Sequence, residues 1–308
     1  MDVRRAIAEE LHRAARKKYP RRAVTLKGIN DLYQADLVEM QPYKKINKGY
    51  RYIMTMINCF TKFAFAVPLK DKSGPEVVRA LEPILMKHKM KHFQTDQGKE
   101  WFNKHVNALM KKYKINHYFT KSEMKASIVE RFNRTLKQRM WKEFTAKGTY
   151  EWLTILPNLI SKYNNSVHRT IRMKPKDVRR KHVKEILERI NEKKNKKKSP
   201  GAKLKLGDSV RISKYKRVFT KGYLPNWTNE VFKIYAIKPT KPVTYVLQDS
   251  HGEVLDGGFY EQELNKSNTG DVYLVEKIIQ KRGNRVKVRW LGFDRKHDSW
   301  VDKNEIVI

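Results

Sequence analysis

A chain of 308 residues is long enough for two or three domains, each with its own core. Its 68 Lys and Arg against 32 Asp and Glu leave a formal charge of +36, which repels itself when compact and is relieved beside a polyanion such as nucleic acid. Cys59 is the sole cysteine, which excludes an intramolecular disulfide and any zinc site that needs two or four thiolates, and points to a reducing, intracellular setting. No apolar run of about 18 residues offers a membrane span. On charge alone, a histone-like binder without chemistry and a nucleic-acid enzyme stand level.

Residues 1–30 read as a basic connector with a short helix over Ala6–Ala15. A packed domain is expected over 31–178. Leu32–Met40, Tyr50–Phe60 and Phe63–Leu69 have the β-branched and aromatic content of strands, with Met54, Met56, Phe60, Phe63 and Phe65 in the core. Pro75 opens a helix whose apolar face is Val77, Val78, Leu81, Ile84 and Leu85. His92–Thr95 is a short strand ending at Asp96. Phe102–Lys112 is helical, Ile115–Phe119 is a fifth strand, and helices follow near Ile128–Phe144 and Trp152–Tyr163. That order predicts an α/β layer on a mixed five-stranded sheet and resembles a ribonuclease-H-like fold. Residues 179–203 read as a basic linker, through the run Lys193-Lys194-Asn195-Lys196-Lys197-Lys198-Ser199-Pro200-Gly201; it is either a solvated spacer touching phosphates or a nuclear-import signal. Beyond it, Ser209–Ser213, Val231–Ile237, Thr244–Gln248 and Glu253–Leu255 predict a small β-barrel over 204–266, and a second short β module spans 271–308.

Three carboxylates stand out by position. Asp36 lies inside the first apolar strand, where a charge is costly unless paired or metal-bound. Asp96 sits at the C-terminal end of a strand, where α/β sheets place ligands. Glu130 lies on a helix with Arg134 and Lys137 on the same face, while Phe132, Leu136 and Met140 face inward. Three acids on converging elements suffice for two Mg2+ ions about 3.5–4 Å apart, and Arg134 and Lys137 would hold the phosphate backbone beside them. Spaced triplets also arise by chance among 32 acids, so spacing alone leaves a metal nuclease or transferase at even odds. Glu123 is the rival acid, but its flanks read as a loop. His168 reads as structural.

Thr95-Asp96-Gln97-Gly98-Lys99-Glu100-Trp101-Phe102 resembles the second-aspartate motif of retroviral-type (DDE) integrases, and Val129-Glu130-Arg131-Phe132-Asn133-Arg134-Thr135-Leu136-Lys137 resembles their glutamate helix. The 33 residues between Asp96 and Glu130 are close to the family's spacing, Asp36 supplies the first acid, and Tyr163-Asn164-Asn165 with His168 and Pro175 resembles the end of that core. The wording is most similar to integrases of Polinton (Maverick) transposons and virophages. Arg211-Ile212-Ser213, Pro225-Asn226-Trp227 and Phe259-Tyr260-Glu261-Gln262-Glu263-Leu264 resemble their Src-homology-3-like barrel. The resemblance implies 3′-end processing by water and then attack of the freed 3′-hydroxyl on a target phosphodiester, with two Mg2+ (or Mn2+ in their place) at Asp36, Asp96 and Glu130. It implies a homo-oligomer acting on double-stranded DNA, in the nucleus or packaged in a virus-like particle. Lys99, Lys125, Arg131, Arg134 and Lys137 are the candidate DNA contacts, with Lys121 a further one. Retroviral integrases also carry an N-terminal zinc domain with two histidine and two cysteine ligands, so either the chain is truncated or residues 1–30 do a different job.

Tyr273-Leu274-Val275-Glu276, Val288-Arg289-Trp290-Leu291-Gly292-Phe293 and Ser299-Trp300 resemble a chromodomain, in which Tyr273, Trp290 and Phe293 match the aromatic cage for methylated lysine on histone tails. Arg295, Lys296 and His297 stand where that family often has acids, and the competing reading makes Trp290 and Trp300 barrel core. Two other functions remain open from sequence: a domesticated DNA- or chromatin-binding protein, and the integrase of a chromodomain-bearing retrotransposon.

Overall fold

The computed structural model describes residues 2–16, 19–22, 24–119, 126–195, 201–214, 223–270 and 272–306. The chain forms two compact units, 24–196 and 1–23 with 197–308. In chain order the first helix is α1 (Val3–His12), which starts three residues before the expected Ala6 because the Asp2 carboxylate caps it, accepting from Arg4 N–H at 3.0 Å.

The unit 24–196 is an α/β layer. Its elements are β1 (Leu32–Glu39), β2 (Tyr52–Asn58), β3 (Ala64–Leu69), α2 (Gly74–Lys87), β4 (His92–Thr95), α3 (Lys104–Lys112), β5 (Asn116–Phe119), α4 (Ser127–Lys147), α5 (Leu156–Asn165) and α6 (Val183–Asn195). The sheet order is β3-β2-β1-β4-β5, with β1, β2 and β3 antiparallel and β4 and β5 parallel to β1. Every residue of β2 is buried, because helices cover both faces. Strand alternation divides it: Tyr52, Met54 and Met56 pack with α2 and α3, and Ile53 and Ile57 pack with α4 and α5. Phe60 is fully buried, whereas Phe63 and Phe65 are half-buried, packed edge-on at 5.1 Å.

The expected linker is corrected over Val183–Asn195, which is helix α6. Ile186 is fully buried in a cluster with Leu26, Leu32, Cys59 and Phe60, and Val183, Leu187 and Ile190 pack against it. Those four apolar residues recur at helical spacing, but the Lys, Glu and Arg between them mask the stripe. The Lys-rich run from 196 to 200 lies outside the described residues.

The other unit joins α1 to a five-stranded antiparallel sheet, order β10-β6-β7-β8-β9, built from β6 (Ser209–Ile212), β7 (Phe232–Lys238), β8 (Thr244–Gln248), β9 (Phe259–Tyr260) and β10 (Leu264–Lys266). Its core is Val210, Phe232, Ile234, Tyr245, Leu247 and Leu264. The strand expected at Glu253–Leu255 is absent; only a single bridge pairs Val254 with Gln248. Asp249 accepts from the N–H groups of His251 and Glu253 and turns the chain there.

The N-terminal segment is also more than a connector. Ile7 and Leu11 of α1 bury against Trp227, whose Nε1 donates to Arg13 O at 2.7 Å. Glu10 Oε2 lies 3.2 Å from Arg211 Nε, with both side chains almost fully buried. Ser267 Oγ, Thr269 Oγ1 and Asn268 N–H donate to the same carboxylate. Those bonds offset the desolvation that makes most buried ion pairs costly. A three-stranded antiparallel sheet, β11 (Val275–Arg282), β12 (Arg285–Trp290) and β13 (Ser299–Asp302), completes the unit; within these strands only Val286 and Val288 are fully buried.

Candidate active site

The position of Asp36 follows from strand parity. Tyr33 and Ala35 face the α2 and α3 side, so Gln34, Asp36 and Val38 face α4. Gln34 Oε1 accepts from Ile128 N–H at 3.0 Å and Val129 N–H at 3.1 Å, capping the otherwise uncapped first turn of α4. Gln34 Nε2 donates to Gln94 Oε1 at 2.9 Å, tying β1 to β4. One residue pair thus holds together the strand carrying Asp36, the strand ending before Asp96 and the helix turn carrying Glu130.

Asp36 is half-buried. Its Oδ1 accepts from Leu37 N–H and its Oδ2 from Asn133 Nδ2, both at 2.8 Å. Burial pushes its carboxyl above the usual value, and the charges of Asp96 and Glu130 push it the same way, against those two bonds. Asp96 Oδ1 accepts from Gly98 N–H at 3.2 Å, closing the turn that follows β4. Glu130 is exposed in the first turn of α4, where the helix dipole favours a negative charge. Behind Asp96, Thr95 Oγ1 lies 3.0 Å from His117 Nε2. Burial pulls His117 down to about 4, so the ring is neutral at neutral pH, stacked on Phe102 at 4.3 Å.

Asp96 and Glu130 are therefore both within electrostatic reach of Asp36. Among the described residues no three His, Cys, Asp or Glu side chains converge closely enough to hold one ion. The donors are all carboxylate oxygens, the chemistry that hard divalent cations take. Beside Asp36, the buried Asn133 Oδ1 has no hydrogen-bond partner. An acceptor left over there fits a site that takes a hydrated cation.

Arg134 and Lys137 are exposed on the face of α4 that carries Glu130; Lys99 and Arg131 are exposed too. Lys121, Glu123 and Lys125 lie outside the described residues. His168 is structural, its Nδ1 accepting from Thr170 N–H at 3.2 Å in a turn closed by a bridge to Met173. In the other unit, the Tyr273 ring lies 6.1 Å from Trp290 and 5.6 Å from Phe293, all three half-buried, and Trp290 Nε1 donates to Ser299 Oγ. Sequence reasoning missed Gln34, Gln94 and Asn133. The available signal was an amide on the inward side of β1 and of α4, where the neighbours are apolar.

A sheet of this order, with acids inside β1, after β4 and in the first turn of α4, agrees with the ribonuclease-H-like fold expected from the sequence. Residues 27–123 match the integrase core domain family. The chain is 36% identical over 195 residues to an uncharacterized transposon-derived protein of Caenorhabditis elegans, covering 63% of this chain and 65% of that one. It is 29% identical over 129 residues to the retrovirus-related Pol polyprotein from transposon 412 of Drosophila melanogaster, covering 41% of this chain and 10% of that one. The match thus spans less than two thirds of either relative's length. Among solved structures, an intasome of simian T-cell lymphotropic virus in complex with a PP2A regulatory subunit shares the fold, with a TM-score of 0.56 at 14% identity over 83% of this chain and 88% of that one.

Proposed function

We propose that this protein is a DNA integrase of a mobile element, of the Polinton or virophage type, that processes 3′ ends and transfers them into target DNA. The observation that carries it is the way Gln34 ties together β1 with Asp36, β4 ahead of Asp96 and the first turn of α4 with Glu130, in a chain whose residues 27–123 match the integrase core domain family. The three acids would hold two Mg2+ ions. Bound there, such ions would supply Lewis acidity to the attacking and leaving oxygens. Asn133 and the Leu37 N–H aim the Asp36 carboxylate and stop it rotating. Arg134 and Lys137 bind the phosphate backbone beside the acids, and Lys99 and Arg131 widen the basic surface. Phosphoryl transfer asks the protein for positioning and electrostatics rather than a covalent nucleophile, which is what these side chains supply.

The working protein is a homo-oligomer on double-stranded DNA in the nucleus. The barrel strands β6 to β10 act as a Src-homology-3-like DNA-binding module. The terminal sheet acts as a chromodomain-like reader of methylated lysine, supported by the grouping of Tyr273, Trp290 and Phe293.

The test is the reversal reaction on a branched DNA that mimics a strand-transfer product, which depends little on the element's own end sequence. Wild type and Glu130→Gln are compared in Mg2+, in Mn2+ and in EDTA. Metal-dependent resolution lost in the variant is expected. Tight DNA binding with no reaction by either protein would instead favour a domesticated DNA-binding protein.

A further inference from the structure

Glu130, Arg134, Lys137 and Trp141 recur at intervals of four, three and four residues, so they form one stripe along α4, and all four are exposed. The stripe runs from the candidate catalytic acid to an indole that is 40% exposed. No acid interrupts it: the other glutamate of α4, Glu143, lies roughly 140° round the helix.

Trp141 does not stand alone. It packs against Phe144 at 5.3 Å and edge-on against Tyr43 at 6.4 Å, and Tyr43 stacks on Tyr150 at 4.5 Å with the rings 19° apart. Tyr150 is 47% exposed. The fully buried Asn47 holds this group in place, donating to Tyr43 O and Tyr150 O and accepting from Trp152 N–H. The aromatic side chains are thus fixed before any ligand arrives, which lowers the ordering cost of binding. Around them stand exposed Lys44, Lys45, Lys48, Lys142 and Lys147, and the segment 41–50 contains no acid. An exposed indole held by its aromatic neighbours and framed by lysines is complementary to a nucleic-acid strand: the cations take phosphates and the indole face takes a base.

We propose that Trp141, backed by Tyr43 and Tyr150, is a stacking platform for an exposed base of the DNA strand that leads away from the reacting phosphate. The inference rests on the integrase reading above and adds a residue and a distance to it. Trp141 lies eleven positions along the helix from Glu130, about 16 Å of axial rise, or about five nucleotide spacings of a strand. Trp141 sets how that strand leaves the site and takes no part in the chemistry.

The test uses the full chain and branched DNA carrying 5-iodouracil at successive positions from the junction, with photo-crosslinks mapped by mass spectrometry. Binding by anisotropy is measured in parallel for wild type, Trp141→Phe and Trp141→Ala. The expected result is a crosslink at Trp141 from about the fifth nucleotide, with binding roughly tenfold weaker in Trp141→Ala and restored by Trp141→Phe. Tight binding with no crosslink at Trp141, and Trp141→Ala within twofold of wild type, overturns the platform and leaves the integrase reading standing. Absence of DNA binding by wild type overturns both. A Trp141→Ala variant that changes oligomeric state in sedimentation, with the crosslinks unaltered, shows a contact between copies and also overturns the platform.

Discussion

Gln34 and Gln94 share a 2.9 Å hydrogen bond between buried amides of β1 and β4, and the Gln34 oxygen caps α4. Since Asp36 lies two residues beyond Gln34, and Asp96 two residues beyond Gln94, this pair sets the spacing of the first two acids. The cap sets the third, because Glu130 follows Val129 directly. A methionine at position 34 would keep the volume but leave the first N–H groups of α4 without their acceptor.

Asn133→Ala removes the amide that fixes the Asp36 carboxylate. A hydrogen bond to a charged group contributes about 1.5–3 kcal/mol. The reversal rate is expected to fall roughly ten- to hundredfold, while circular dichroism shows the fold intact and Glu130 still essential. An unchanged rate would show that Asp36 needs no such partner.

Glu10→Gln tests the ion pair beneath α1. Burial opposes ionisation of Glu10, but the Asn268 N–H, Arg211, Ser267 and Thr269 together hold its carboxyl below the ordinary 4.5. A depressed folded value means that the stabilisation is complete above 4.5 and is lost as pH falls through the folded value. Wild type should therefore lose stability on acidification more steeply than Glu10→Gln. At neutral pH the variant, with Arg211 left unpaired, should be about 3–5 kcal/mol less stable. Thermal melts from pH 3 to pH 7 read both effects.

Ile186→Asp places a carboxylate at a fully buried position of α6. If 183–195 were a solvated linker, the change would be silent. The packing with Leu26, Leu32 and Phe60 instead predicts a loss above about 3 kcal/mol, read by urea denaturation.

Cys59 is fully buried, and burial pushes its thiol up to about 12. Maleimide at pH 7 should leave the native protein unlabelled and modify one site after denaturation. Fast labelling of the native protein would mean that the cluster around Phe60 opens readily.

Trp290→Ala removes one wall of the aromatic trio. If the terminal sheet reads methylated lysine, trimethyl-lysine peptides should bind wild type and lose roughly two- to thirtyfold in the variant, as cation–π contacts contribute about 0.5–2 kcal/mol. No binding by wild type near millimolar peptide ends that reading.

The strands β1 to β5 were legible to within a residue or two because each is a short apolar run closed by turn residues. Helix α6 was not, since its apolar stripe is thin and buried under charge. Nor was the role of α1: Glu10 and Arg211 stand 201 residues apart, and nothing in the spacing of either announces the other.

By itself the sequence determined which acids stand where: inside a strand, at a strand end and in a first helical turn, all local signals that period and neighbours reveal. It also determined the charge that calls for a polyanion. Only the tertiary structure decided that a pair of glutamines and one asparagine hold those acids in place, that α1 closes onto the barrel, and that Tyr43 packs between Trp141 and Tyr150. Those are contacts between residues far apart in the chain. They arise from packing and hydrogen-bond satisfaction in the folded state and leave no periodic trace in the sequence.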